Sequence, residues 1–192
     1  MSSTKIDEEV EKAAAHINRG QVLLYPADTL WAMTCDIDNQ AAVERIKKIK
    51  QDDVKGNLIL TVDSIDMLKR YIVSIHPRIE TLLLYHDKPL SIIYDAPDDM
   101  HDYLVNDKGT VAIRIVKDSF SRKLISYLDK AIISTTACLT DRNVLTAKYE
   151  DVPTTIKEEV DHIVDLKSIK TAGLPSILAR YNHKGDLEFV RK

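Results

Sequence analysis

Residues 25–36 read YPADTLWAMTCD, an apolar run closed by Pro26 and followed at once by a carboxylate, Asp28, and a hydroxyl, Thr29. The upstream QVLLYP, residues 21–26, has the apolar, β-prone character of a short buried strand that Pro26 stops. Polar groups there admit two readings: an Asx or Ser/Thr turn after proline, or a binding site at the mouth of a sheet. Beyond them Leu30, Trp31 and Met33 resume the apolar pattern.

Working outward, residues 7–18 predict a helix with Val10, Ala13, Ala14 and Ile17 as its apolar stripe. Glu8, Glu9 and Glu11 are expected in its first turns, where the helix dipole favours anions, and Gly20 ends it. Asn39 caps a second helix whose inward face is Ala42, Val43, Ile46 and Ile49. NLILTV at 57–62 predicts a strand, and Ser64 caps a short helix running to Tyr71. A helix over 76–86 precedes strands at 89–96 and 110–115, which an acidic helix or loop separates. Residues 118–129 form an amphipathic helix capped by Asp118 or Ser119, and AIISTTA at 131–137 is a strand that turns polar at its end. The tail reads helix 153–160, then strands 162–166, 175–181 and 186–191, with Gly185 supplying a hairpin turn. Helices alternate with strands until the strands follow one another directly. The expected fold is therefore α/β, a single domain over 1–192 with a twisted mixed sheet flanked by helices.

Composition narrows the function. The 192 residues are 44% hydrophobic and 30% charged, the balance of a soluble globular domain. No apolar run approaches the ~20 residues that span a bilayer, so no membrane partner is expected. MSSTKIDEEVEKAAAH lacks the apolar core of a secretory leader, and its acids disfavour a transit peptide. Two cysteines, Cys35 and Cys138, make no CxxC motif, which fits a cytoplasmic location. Six scattered histidines lack ligand spacing, so no structural metal is expected. The net charge of −3 excludes a general nucleic-acid glove but leaves a local basic cluster: Arg45, Lys47, Lys48, Lys50 and Lys55. Neither GxxxxGK[ST] nor GxGxxG occurs among the five glycines, so any nucleotide is held by side chains and ordinary loop amides.

Two further polar features lie in apolar strands. In TVAIRI, Arg114 lies on the face opposite Val111, Ile113 and Ile115 and needs an anionic partner there. A structural ion pair and an anion-binding role stand equal on the residues alone. Ser134, Thr135 and Thr136 close the 131–137 strand, where hydroxyls either hold a ligand or finish the strand locally.

In order, these stretches resemble the YrdC/YciO family of threonylcarbamoyl-AMP synthases. YPADTLWAMTCD is similar to YPTDTVYGLGCD at Tyr25, Pro26, Asp28, Thr29, Cys35 and Asp36. AVERIKKIK with NLILTV, TVAIRI, STTAC (against STSAN), PSILARY and LEFVR resemble successive family segments, over residues 7–191. The resemblance implies a mixed sheet with a concave groove and a reaction of ATP, threonine and bicarbonate that yields threonylcarbamoyl-adenylate. That product serves tRNA modification, with ATP the substrate accompanied by Mg2+. It further implies substrate contacts from Asp28, Thr29, Lys50, Arg114, Ser134 and Thr136. Lys55, Ser91, Cys138 and Arg191 would contact the nucleotide. The alternative is a non-catalytic paralogue binding double-stranded RNA or tRNA in the same groove; a third is a degenerate paralogue serving only a protein partner.

Departures from the family pattern fall in the site motifs. KxRP is replaced by Lys50, Gln51, Asp52 and Asp53, with Lys55 displaced by one, and PGPxT by Asp87, Lys88, Pro89, Leu90 and Ser91. Cys138 stands where the family has asparagine, and Ala32 and Thr34 replace a glycine pair. An anion then lies where triphosphate charge should be neutralised, and a thiol where a donor–acceptor amide should be. The pattern points to a diverged paralogue near the YciO-like branch.

Overall fold

The computed structural model describes residues 3–51, 58–139, 145–167, 169–181 and 186–191. Asp52, Asp53, Lys55 and the turn at Gly185 lie outside the described residues.

The chain runs α1 (Ser3–Asn18), β1 (Leu23–Pro26), β2 (Trp31–Asp36), α2 (Gln40–Lys50), β3 (Ile59–Val62), α3 (Ile65–Leu68), α4 (Pro77–Tyr85) and β4 (Leu90–Asp95). It continues through β5 (Thr110–Ile115), α5 (Ser119–Leu128), β6 (Ile132–Thr136), a 3-10 turn at Tyr149–Asp151, α6 (Thr154–Glu159), β7 (His162–Ile163), β8 (Ile177–Tyr181) and β9 (Leu187–Arg191). The strands form one nine-stranded sheet in the order β7-β1-β2-β6-β3-β5-β4-β8-β9. β1–β7, β3–β5 and β4–β8 are parallel and the other neighbours antiparallel, which bears out the mixed α/β sheet.

Local chemistry accounts for most boundaries. Asn39, Ser64 and Asp118 accept from the amides of Ala42, Met67 and Ser121, so each is the N-cap of its helix. Gly20 takes φ +74 just beyond α1, a conformation that favours glycine. Two expectations change. α1 begins at Ser3, so its first turn holds no acid. Glu9 is instead buried, accepting the Asp165 amide and the Lys12 ammonium. These bonds outweigh burial and hold its carboxyl below the usual range. The stretch 31–36, which pattern alone leaves without an element, is β2. Both its faces are buried, so the period-two alternation is masked.

Tyr25, Trp31, Met33, Leu60, Ile113 and Phe120 are among the fully enclosed core side chains. Each such burial contributes roughly 1.5–3 kcal/mol. α1 packs on α5, and the Phe120 ring of α5 lies 6.1 Å from the Tyr25 ring.

Candidate functional site

Asp28 and Thr29 occupy the tip of the β1–β2 hairpin, which the Ala27 amide closes on the Leu30 carbonyl. The turn reading is therefore correct, and both side chains point inward from it. Two amides fix the tip from outside: Ala172 donates to the Asp28 carbonyl at 3.0 Å and Gly173 to that of Thr29 at 2.9 Å. Gly173 makes this contact at φ +74, where a side chain would strain the backbone.

Arg114 is the partner they meet. Its Nη1 donates to Thr29 Oγ1 at 3.2 Å and stands 3.4 Å from Asp28 Oδ1. The side chains are 3% and 8% exposed, so the pair is desolvated. The two readings of Arg114 now divide. It has its ion pair, yet Nε and both Asp28 oxygens lack a hydrogen bond. Buried groups of this kind are normally satisfied, which marks the cluster as incomplete.

Sheet register gathers further polar groups. Ile132, Thr61, Arg114, Ser91, Leu178 and Arg191 are successive cross-strand partners from β6 to β9. In-register partners project to one face, so Arg114, Ser91 and Arg191 share it. A bulge between Leu178 and Ala179 pairs Arg191 with Leu178 but Phe189 with Ala179. It thereby turns Arg191 onto the Arg114 face, which strict alternation from Phe189 would forbid. Three strand spacings separate Arg114 and Arg191, roughly 14 Å between backbones, within reach of two long converging side chains. Partial burial and then the Arg114 charge hold the Arg191 guanidinium below its ordinary value. Two cations that repel each other on one sheet face suit an anion placed between them.

The remaining expected residues are placed as follows. Ser134 is buried and its hydroxyl lies 2.9 Å from Tyr25 Oη. Burial, against the charge of Arg114 and the Ser134 bond, pushes the Tyr25 phenol up to about 12. Thr136 shares the Ser134 face and is half-buried. Ser91 is fully buried, with Oγ 2.9 Å from Ser176 Oγ. Arg191 donates twice to the Ser176 carbonyl. Lys50 lies further from ligand chemistry: its ammonium donates to the carbonyls of Thr136 and Cys138 at 2.8 and 3.2 Å. It thus pins the chain leaving β6, beside the half-buried Cys138 thiol. Asp28, Thr29 and Arg114 come together directly, and Ser91 and Arg191 border them.

Pattern reading passed over Tyr25, Ser176 and Asp118 as site groups. Asp118 was legible only as a helix cap. Burial first, with the Asp28 charge adding, pushes its carboxyl up, against its bonds to Ser121 and the Arg114 charge, which pull it down. Its Oδ2 is shielded from solvent and has no hydrogen-bond partner. Within the described part of the basic cluster, Arg45 pairs with Asp161 and Lys47 with Glu44, and Lys50 bonds backbone carbonyls. Among the described residues no cluster could hold a metal ion, and no helix is long and apolar enough to cross a membrane.

These features define an α/β protein with a mixed nine-stranded sheet and a buried charged cluster at a hairpin tip. The Sua5/YciO/YrdC family model, described as "Telomere recombination", matches residues 15–192, and the chain belongs to that family. A threonylcarbamoyl-AMP synthase of Pseudoalteromonas translucida is 28% identical over 159 residues, covering 81% of this chain and 84% of that protein. The solved P. abyssi Sua5 complexed with L-threonine matches with a TM-score of 0.85 at 20% identity, over 95% of this chain and 53% of that one. E. coli YciO matches with a TM-score of 0.78 at 21% identity, over 96% of this chain and 89% of YciO. At these identities the two structures speak for the fold. This chain spans about half of the Sua5 chain and nearly all of YciO.

Proposed function

We propose that this protein binds L-threonine and ATP in the groove bordered by Asp28, Arg114 and Arg191 and catalyses a threonylcarbamoyl-AMP synthase-like reaction. The observation that carries this reading is the buried Arg114–Asp28 pair with its unmet hydrogen-bonding capacity, on the face shared with Arg191. A zwitterionic amino acid offers complementary groups, and the synthase relative and the threonine-bound Sua5 support the choice of threonine. In the reaction, the threonine amine takes up the bicarbonate carbon with loss of water, giving a carbamate. A carbamate oxygen then attacks the α-phosphorus of ATP, and pyrophosphate leaves. The resulting threonylcarbamoyl-adenylate would feed tRNA modification in the cytoplasm, a setting that suits two free cysteines. Mg2+ would accompany the ATP as counter-ion to its phosphates.

Within the described residues, Thr29, Ser134 and Thr136 supply neutral hydroxyls to orient ligand polar groups, and Arg191 supplies positive charge at the rim. Lys50 acts through the backbone it holds, and Ser91 through Ser176. The ion pairs that engage Arg45 and Lys47 favour this small-molecule reading over an RNA-binding one. The test is pyrophosphate release from ATP with threonine and bicarbonate each present or omitted. Release that stops when threonine is withheld is the expected result. No release at high protein concentration overturns the enzymatic reading.

A further inference from the structure

Along its outer edge β1 is covered by the chain that follows α6. Asp161 donates its amide to the Val22 carbonyl and Val164 to that of Leu24, each at 2.9 Å, and His162 of β7 pairs with Leu23. The same stretch of chain reaches the hairpin tip, where Ala172 and Gly173 hold the carbonyls of Asp28 and Thr29. These bonds make one strap, described over 161–167 and 169–173, whose far end fixes the residues that meet Arg114. Its near end is fastened by two sets of side-chain contacts. Asp161 accepts the Val22 amide at 2.8 Å and pairs with Arg45 of α2. The His162 ring stacks on His16 of α1, with centroids 4.2 Å apart and planes 11° from parallel.

The imidazole stack is the part of this fastening that acid can undo. His16 Nδ1 donates to Gln21 Oε1 at 2.6 Å, since an amide oxygen only accepts. His162 Nε2 is shielded from solvent and has no hydrogen-bond partner among the described residues. A proton arriving there meets no acceptor and charges a ring stacked face to face on a second titratable ring. The surrounding charges compensate only in part. On α1, Glu9 favours the imidazolium but already accepts from Lys12 and the Asp165 amide, while Lys12 and His16 oppose it. Asp161 is engaged by Arg45 of α2, and Asp165 by Lys5 of α1. Burial first, then His16, hold the His162 imidazole below the usual histidine value. We propose that the His16–His162 stack is an acid-released clasp, which holds the strap against β1 near neutral pH and frees it, together with the hairpin tip, as acidity rises. The sign follows from linkage. The opened strap binds the proton more readily than the closed one, so closure is complete above about pH 6.5 and weakens as pH falls below it. Neither histidine belongs to the Asp28–Arg114 cluster, so the clasp goes beyond the threonine reading and does not rest on it.

Amide hydrogen exchange of wild type, His162→Phe and His16→Asn at about pH 7.5 and about pH 5.5 tests this, with rates corrected for the intrinsic pH dependence of exchange. The readout is the protection of the Asp161, Val164, Ala172 and Gly173 amides, and the amides of β3 and β5 in the same sheet serve as references. His162→Phe keeps a planar ring against His16 but cannot titrate, and His16→Asn removes only the facing ring. In wild type, protection of the strap is expected to fall by about threefold or more between the two pH values while the references hold. His162→Phe should abolish that fall. His16→Asn should reduce it, because burial alone then acts on His162. Should His162→Phe fail to melt cooperatively, His162→Leu carries the same comparison. Strap protection that does not change with pH in wild type overturns the clasp. So does a fall shared equally by β3 and β5, which reports global unfolding, and so does a fall that survives loss of the His162 imidazole. Each of these outcomes leaves the threonine reading standing, since pyrophosphate release judges that reading separately.

Discussion

Replacing Arg114 by methionine isolates what the buried pair contributes. The change keeps most of the apolar stem volume but leaves Asp28, 8% exposed, without a cation 3.4 Å away. Unit charges at that distance attract by about 5 kcal/mol at an effective dielectric of 20. Desolvation of both ions offsets part of this, and removing one partner of a buried pair typically costs about 3–5 kcal/mol. Against a domain stability of about 5–15 kcal/mol, that is a large fraction. With a urea m-value of about 2 kcal/mol/M, Arg114→Met should lower the unfolding midpoint by about 1.5–2.5 M. Asp28→Asn in the same background should restore part of the loss, because the stranded charge is gone. The double-mutant cycle should then give a coupling of about 1–3 kcal/mol. An Arg114→Met midpoint within 0.5 M of wild type, or strictly additive effects, would refute the claim that Asp28 depends on Arg114.

Three further perturbations follow the same logic. Asp118 holds its proton to a higher pH folded than unfolded, so its stabilising contribution is present below its unfolded value of about 3.9 and is lost as pH rises through the folded one. The urea midpoint of Asp118→Asn relative to wild type should therefore increase as pH rises above about 4; a decrease would reverse the assigned sign. Tyr25→Phe removes the hydroxyl that meets Ser134 and should cost about 1–3 kcal/mol in chemical denaturation, much of it recovered by adding Ser134→Ala. A cost unchanged by the second substitution would mean the pair is not coupled. Gly20→Ala would place a methyl group against Asn39 Nδ2 at a backbone φ of +74. Strain and the disturbed α2 cap together should lower stability by roughly 2 kcal/mol, and a Tm equal to wild type would show that the Asn39 cap yields freely.

Much of this molecule follows from short-range chemistry that one sequence displays. Caps at Asn39, Ser64 and Asp118, the stop at Gly20 and the apolar strand runs are local preferences that tertiary packing did not override. The order of strands and helices was enough to expect a mixed sheet, since neighbouring strands without an intervening helix pair antiparallel. The isolation of Arg114 on its strand face was likewise visible, because period-two alternation belongs to the strand itself. Its partner was not. Asp28 lies 86 positions earlier in the chain, and only the β1–β2 hairpin tip brings it to β5. Long separations in sequence likewise hid the bond between Tyr25 and Ser134 and the Ser91–Ser176 contact.

Asp118 shows the division most clearly. Its local role as a helix cap uses one oxygen and is written in the residues that follow it. The role of the other oxygen depends on the charges that the fold places nearby, a long-range electrostatic fact on which local pattern is silent. Lys50 shows a contact that only the fold reveals: the family resemblance implied a ligand contact for it, and the end of α2 directs its ammonium to the carbonyls of Thr136 and Cys138. Residue types therefore determined which groups had chemistry to offer. The sheet register, its bulge at β9 and the hairpin tip decided which of those groups meet, because hydrogen bonds and ion pairs act over a few ångströms that only tertiary folding closes.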